Sequence, residues 1–209
     1  MCLTLDGTGV SHGDQAAVLC AAGARWVQLR MKDADMATWV YQAKAAARVC
    51  REHGAVFVVN DSVEVALESG ADGVHLGRLD AQWPDARRAL GADRLVGGTV
   101  NNAADARLAA ASGCLDYVGV GPHRFTSTKK SLAPVLGAEG IRSLVALLGA
   151  LPAWAIGGVE PADLAALRAT GVAGVAVSSG LTRGGTVRDN VGRYLAAWQG
   201  SPAKELVLS

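Results

Sequence analysis

Ser69-Gly70-Ala71-Asp72-Gly73-Val74-His75-Leu76 joins the end of a helical pattern to a short apolar run, and the same joint returns at Ser112-Gly113 before Tyr117-Val118-Gly119-Val120. It stands again at Ala22-Gly23 before Trp26-Val27-Gln28-Leu29 and at Thr170-Gly171 before Gly174-Val175-Ala176-Val177. Glycine enters the left-handed conformation without steric cost and so stops a helix, after which a β-rich run begins a strand. A chain that repeats this joint alternates helices with strands.

The intervals between joints carry helical periodicity. After Asp35, a plausible cap, Met36, Trp39, Val40, Ala43, Ala46, Ala47 and Cys50 recur at helical spacing until Gly54. Leu144, Leu147 and Leu148 repeat the pattern before Pro152. Pro161 suits the first turn of a helix carrying Leu164 and Leu167, and Val187, Val191, Tyr194, Leu195 and Trp198 mark the last one. Eight apolar runs read as strands: Cys2 to Leu5, Trp26 to Leu29, Val56 to Val59, Gly73 to Leu76, Leu95 to Gly98, Tyr117 to Val120, Ala153 to Ile156 and Gly174 to Val177. Alternating strands and helices imply parallel pairing with right-handed crossovers, and eight such units close into a (β/α)8 TIM barrel. The expectation is one α/β barrel domain over residues 1–209, with an open doubly wound sheet as the alternative. The chain is shorter than the roughly 250 residues typical of that barrel, so its loops must be tight.

Composition narrows the function. Half of the residues are hydrophobic, enough for a full core, and the net charge of +1 lacks the concentrated basic face that a nucleic-acid partner requires. Anion chemistry must therefore be local. Cys2, Cys20, Cys50 and Cys114 have no Cys-x-x-Cys spacing and fall in or near apolar segments, as reduced core thiols do. Neither a signal peptide nor a membrane-spanning run is visible, so a cytoplasmic location without membrane partners is expected. Oligomeric state is not legible.

Function in such a barrel gathers just after the strands. The second strand runs into Gln28-Leu29-Arg30-Met31-Lys32, which is either an anion-binding set or a solvated basic turn. The third ends in Asn60-Asp61, where Asp61, with Ser62, could simply cap the next helix. The fourth gives His75-Leu76-Gly77-Arg78-Leu79-Asp80, with His75 read as a hydrogen-bonded core residue and Asp80 as standing over the mouth. Thr99 follows the fifth strand as a donor, and Asn102 can cap the helix after it. The sixth reaches a Gly121-Pro122 break and then Thr126-Ser127-Thr128-Lys129, two donors and a mobile positive charge. The seventh and eighth end in Gly157-Gly158 and Ser178-Ser179, where barrels bind phosphate through bare amides and a helix N-terminus, although a glycine pair can also be only a tight turn. Asp61 and Asp80 on adjacent strands suit Mg²⁺, which binds one or two carboxylates together with substrate phosphates. Arg30, Lys32 and Lys129 surround that position with positive charge.

These motifs, in this order from Leu3 to about Trp198, resemble thiamine-phosphate synthases: Gln28-Leu29-Arg30-x-Lys32, Asn60-Asp61, Gly73-Val74-His75-Leu76-Gly77-x-x-Asp80, Gly119-Val120-Gly121-Pro122 leading to Thr126-x-Thr128-Lys129, Ala155-Ile156-Gly157-Gly158, and Val177-Ser178-Ser179. The resemblance implies an enzyme that joins a hydroxymethylpyrimidine diphosphate to a thiazole phosphate, releasing pyrophosphate and thiamine phosphate. It implies that Gln28, Arg30, Lys32, Asn60, Thr99 and Lys129 hold the diphosphate substrate and that Asp61 and Asp80 hold Mg²⁺. Thr126, Thr128, Gly157, Gly158, Ser178 and Ser179 would hold the thiazole phosphate, and Lys129, Arg30 and Lys32 would be the catalytic cations. The family's dissociative route needs no protein nucleophile, and none is visible in the motifs. Met31, Arg78 and the Pro122-His123-Arg124-Phe125 stretch depart from the family's usual residues, and of these Arg78 could alter the charge of the site. A related thiazole tautomerase, which uses a histidine and directs attention to His123, and a noncatalytic barrel binding a thiamine precursor are the competing readings.

Overall fold

The computed structural model describes residues 1–32, 34–126 and 133–200. Its elements alternate from β1 (Cys2–Leu3) and α1 (His12–Ala21) through β2 (Trp26–Leu29), α2 (Met36–Glu52), β3 (Val56–Asn60) and α3 (Val63–Ser69) to β4 (Gly73–Leu76) and α4 (Trp83–Leu90). The second half repeats the unit: β5 (Leu95–Val100), α5 (Ala103–Ser112), β6 (Tyr117–Val120), α6 (Gly137–Leu148), β7 (Ala153–Ile156), α7 (Leu164–Arg168), β8 (Gly174–Ala176) and α8 (Val187–Gln199). The strands pair in chain order, all parallel. The sheet closes where Leu3 N–H donates to Val177 O at 2.8 Å and Val177 N–H to Met1 O at 3.0 Å. The architecture is the (β/α)8 barrel.

Two strands are shorter than the apolar runs that announced them. β1 ends at Leu3 because Leu5 exchanges its backbone bonds with a side chain: its N–H donates to Gln15 Oε1 and its carbonyl accepts from Gln15 Nε2, each at 2.9 Å. β8 ends at Ala176, and Val177 serves the closure instead. Two of the helices start where capping predicts. Asp35 accepts from Thr38 N–H at 2.8 Å and Asn102 from Asp105 N–H at 2.9 Å, each satisfying an amide that the first helical turn leaves without a partner. Gly70 and Gly113 close α3 and α5 in the left-handed conformation. Val40, Ala43, Ala46, Ala47 and Cys50 bury one stripe of α2, while Met36, Leu147 and Leu195, which share the helical spacing, stand at the edge of their stripes and are exposed. All four cysteines are free thiols; Cys20 and Cys50 are buried with Sγ atoms 3.8 Å apart. No helix among the described residues is long and apolar enough to cross a membrane.

The interior of the barrel is filled at its amino-terminal end and open at the other. Trp26 from β2 meets Tyr117 from β6 and Trp154 from β7 edge-on, with centroids 5.0 and 4.9 Å apart. Strands so far apart in the sheet order can touch only across the barrel axis. The neighbouring strands make room for these rings. A Cβ on Gly97 would stand 2.2 Å from the Tyr117 ring, and one on Gly174 would stand 2.7 Å from Trp154 Nε1. Edge-on pairs of this kind are worth roughly 0.5–1.5 kcal/mol beyond the area they bury, so the plug is a rigid floor.

Candidate active site

Above the aromatic floor lies a cavity of about 1020 Å³ bounded by the carboxyl ends of the strands and the loops that follow. Its wall includes Gln28, Arg30, Lys32, Asn60, Asp61, Thr99, Thr126, Gly157, Gly158, Ser178 and Ser179. Sequence-derived candidates from six strand ends thus face one space. Asp80 stands beside it, and Thr128 and Lys129 lie outside the described residues.

At the ends of β2, β3 and β4 the polarity comes from side chains. Gln28 and Asn60 line the cavity and are buried, 3% and 8% exposed. The helix after β3 is capped by Ser62, whose hydroxyl accepts from Val65 N–H at 3.1 Å. Asp61 is therefore not spent as a cap. It occupies the left-handed region at φ 71°, its N–H donating to His75 O at 2.8 Å, and its carboxylate pairs with the Lys32 ammonium. Aspartate tolerates this conformation better than most residues, but it is still a conformation that the surroundings must hold in place. The Asp80 carboxylate accepts from Gly77 N–H at 2.6 Å. Burial raises Asp80 above its ordinary pKa, the neighbouring Asp61 carboxyl adds to the rise, and the Gly77 amide and Lys32 oppose it. A carboxyl that burial and a neighbouring carboxyl both make harder to ionise is an arrangement that a bound cation would relieve. Among the described residues no three His, Cys, Asp or Glu side chains gather as a metal-holding group. The protein offers two hard oxygen donors, which fits Mg²⁺ in company with substrate phosphates.

His75, expected in the core, faces the cavity and hydrogen-bonds through Nε2 to Thr99 Oγ1 at 3.1 Å. The ends of β7 and β8 are built differently. Gly157 and Gly158 both have positive φ, and a Cβ on Gly158 would stand 2.8 Å from Arg124 Cβ, so the pair lets the β6–α6 loop lie directly against this turn. Arg124 crosses the contact, donating to Gly158 O at 3.0 Å and forking onto the Asp163 carboxylate. Ser178 Oγ is buried and has no hydrogen-bond partner among the described residues, although Ser178 lines the cavity. A buried hydroxyl left this way costs about 1–3 kcal/mol unless something completes it, and an anion oxygen would do so. His123 is buried beside Asp163, 3.7 Å away, and is not part of the cavity wall.

The sequence reading passed over several wall residues. Asp6 follows β1, whose loop carries no glycine pair or basic run to attract notice. Asn190, Arg193 and Tyr194 come from α8, where their spacing of three and four puts them on one face; two polar residues beside a tyrosine there were the available signal. Tyr194 Oη donates to Val159 O and Asn190 Nδ2 to Leu181 O, at 2.8 and 2.9 Å, so these two brace the loops after β7 and β8.

The chain is similar to several known proteins over most of its length. The thiamine-phosphate synthase of Phocaeicola vulgatus is 41% identical over 177 residues, which cover 83% of this chain and 85% of that protein. The thiamine-phosphate synthase of Laribacter hongkongensis is 47% identical over 161 residues, 77% of this chain and 75% of its own. The solved structure of thiamine phosphate pyrophosphorylase from Pyrococcus furiosus matches with a TM-score of 0.84 at 28% identity, over 95% of this chain and 94% of that one. The family model described as thiamine monophosphate synthase matches residues 7–181, and the chain belongs to that family.

Proposed function

We propose that this protein is a thiamine-phosphate synthase, a transferase that joins a hydroxymethylpyrimidine diphosphate to a thiazole phosphate and releases pyrophosphate. The observation that carries the reading is the cluster of Lys32, Asp61 and Asp80 on one rim of a cavity whose opposite rim holds the Gly158 turn and the uncompleted Ser178 hydroxyl. One rim suits a metal-bound diphosphate and the other a second phosphate. The two substrates would then meet over the Tyr117 and Trp154 floor.

Asp61 and Asp80 would hold Mg²⁺, which when bound would withdraw charge from the departing diphosphate oxygens. Arg30, Lys32 and Lys129 would act on the same leaving group as fixed positive charges, worth most where the developing charge is greatest. The buried amides of Gln28 and Asn60 would orient the pyrimidine, with Thr99 beside them held by His75. Thr126, Thr128, Gly157, Gly158, Ser178 and Ser179 would hold the thiazole phosphate. With the thiazole nitrogen placed against the carbon that loses pyrophosphate, the route would be dissociative, and the protein's work would be positioning and charge stabilisation. A cytoplasmic location suits substrates of this kind.

Purified protein supplied with the pyrimidine diphosphate, the thiazole phosphate and Mg²⁺ is expected to release pyrophosphate and form thiamine phosphate, and omission of any of the three is expected to stop both. Pyrophosphate release that ignores the thiazole, or no release despite binding of both substrates, would remove the reading.

A further inference from the structure

Arg30 and Lys32, each with a backbone amide to satisfy, lie just after the end of β2. Both amides are held by side chains from the loop after β1. Arg30 N–H donates to Thr4 Oγ1 at 3.1 Å, and Lys32 N–H donates to Asp6 Oδ2 at 3.2 Å. The two acceptors are tied together by one imidazole. His12, in the first turn of α1 and 6% exposed, meets Thr4 Oγ1 through Nδ1 at 2.7 Å and Asp6 Oδ1 through Nε2 at 3.1 Å.

One arrangement satisfies every atom of the set. The Thr4 hydroxyl accepts from Arg30 N–H and still has its own proton to give His12 Nδ1, and a ring proton on Nε2 then serves Asp6. The relay runs from one cation's backbone to the other's, through Thr4, His12 and Asp6. Thr4 is fully buried, which makes an unsatisfied hydroxyl there costly, so the ring of bonds is held as a unit. A role in folding alone needs no such device, because apolar side chains of similar shape would fill the space at least as well. We propose that Thr4, His12 and Asp6 are positioning residues: they fix the backbone from which Arg30 and Lys32 reach the diphosphate, and so set affinity for that substrate. The inference rests on the reading of Arg30 and Lys32 as diphosphate-binding cations.

The test is steady-state kinetics with each substrate varied separately, alongside thermal unfolding. Thr4→Val keeps the shape and removes the hydroxyl; it is expected to raise KM for the pyrimidine diphosphate about tenfold, the scale of one lost hydrogen bond. KM for the thiazole phosphate should stay within about twofold, and Thr4→Ser should restore the diphosphate KM. Asp6→Ala, at a partly exposed position, should give the same selective rise if Thr4→Val does not fold. Equal rises for both substrates, or a Thr4→Ser protein that behaves like Thr4→Val, would overturn the positioning role. Arg30→Ala and Lys32→Ala separate the two ideas. If they raise the diphosphate KM while Thr4→Val and Asp6→Ala do not, the positioning role fails alone; if they leave it unchanged, the reading beneath it fails and the inference falls with it.

Discussion

The ends of β2, β3 and β4 present charge on side chains, with Lys32 paired to Asp61 and Asp80 beside them, whereas the ends of β7 and β8 present backbone, with Gly157 and Gly158 under the β6–α6 loop. On the first rim the capping of α3 by Ser62 separates the two uses an aspartate could have, because the cap is already made. On the second rim packing and phosphate binding ask for the same residue. Gly158 is required by a positive φ and by Arg124 Cβ whether or not an anion ever visits. Side-chain chemistry at a strand end can thus be traced to a purpose, while a glycine turn supports several purposes at once.

The contrast is broken most severely at Asp61. Asn is among the few residues that accept its left-handed backbone, so Asp61→Asn should fold, with a Tm within a few degrees of the parent. Its pyrophosphate release should fall roughly 10²-fold, the size seen when one group that stabilises developing charge is lost, and its Mg²⁺ response should weaken. Ser62→Ala, one residue away, should do the reverse. Loss of an N-cap costs about 1 kcal/mol, which for a chain of this size lowers Tm by about 2–4 °C, and kcat should hold. If both variants lose activity together, the two residues form one structural unit and the separation argued for the first rim is wrong.

Gly158→Ala tests the second rim. A left-handed alanine costs about 1–2 kcal/mol, and the approach to Arg124 Cβ at 2.8 Å adds to it, so Tm should fall by about 4 °C or more. KM for the thiazole phosphate should rise with it if the turn also holds phosphate. A Tm loss with an unchanged thiazole KM would leave packing as the whole reason for this glycine.

The fold was legible because its determinants are local and repeated. Gly70 and Gly113 stop helices, Asp35 and Asn102 start them, and each acts within a few residues of itself. The positions of Asp61 and Thr99 at strand ends followed from the barrel alone. What stayed hidden depends on closure across long sequence separations. Nothing near Trp26 announces that it will meet Tyr117 and Trp154 over the barrel axis, and the glycines that admit those rings, Gly97 and Gly174, lie on other strands. The apolar neighbours of His75 point to the core, yet a strand residue facing into a barrel above its floor borders the cavity. Asp6 and His12 mean little until β1 is placed next to β2.

The smallest expected effect concerns the clasp between the β6–α6 loop and the second rim. Burial alone would raise the Asp163 carboxyl, but the Arg124 guanidinium, the Glu160 amide and nearby His123 together hold it below its usual value of 3.8. A carboxyl lowered in the folded state stabilises the fold above its unfolded pKa, and that contribution is lost as pH falls through the folded value. Arg124→Ala removes the strongest of the lowering partners. Because Arg124 is half exposed, water and salt screen the pair, so the Tm loss near neutrality should be about 2 °C or less. The gap between parent and variant should persist from neutrality down to about pH 4 and close below it, as Asp163 takes up its proton in the parent too. Melting curves of both proteins from pH 7 to pH 3 would read this directly. A gap that stays constant through the acid range would mean that Arg124 acts through its packing on Gly158 and its bond to the carbonyl there, not through the charge of Asp163.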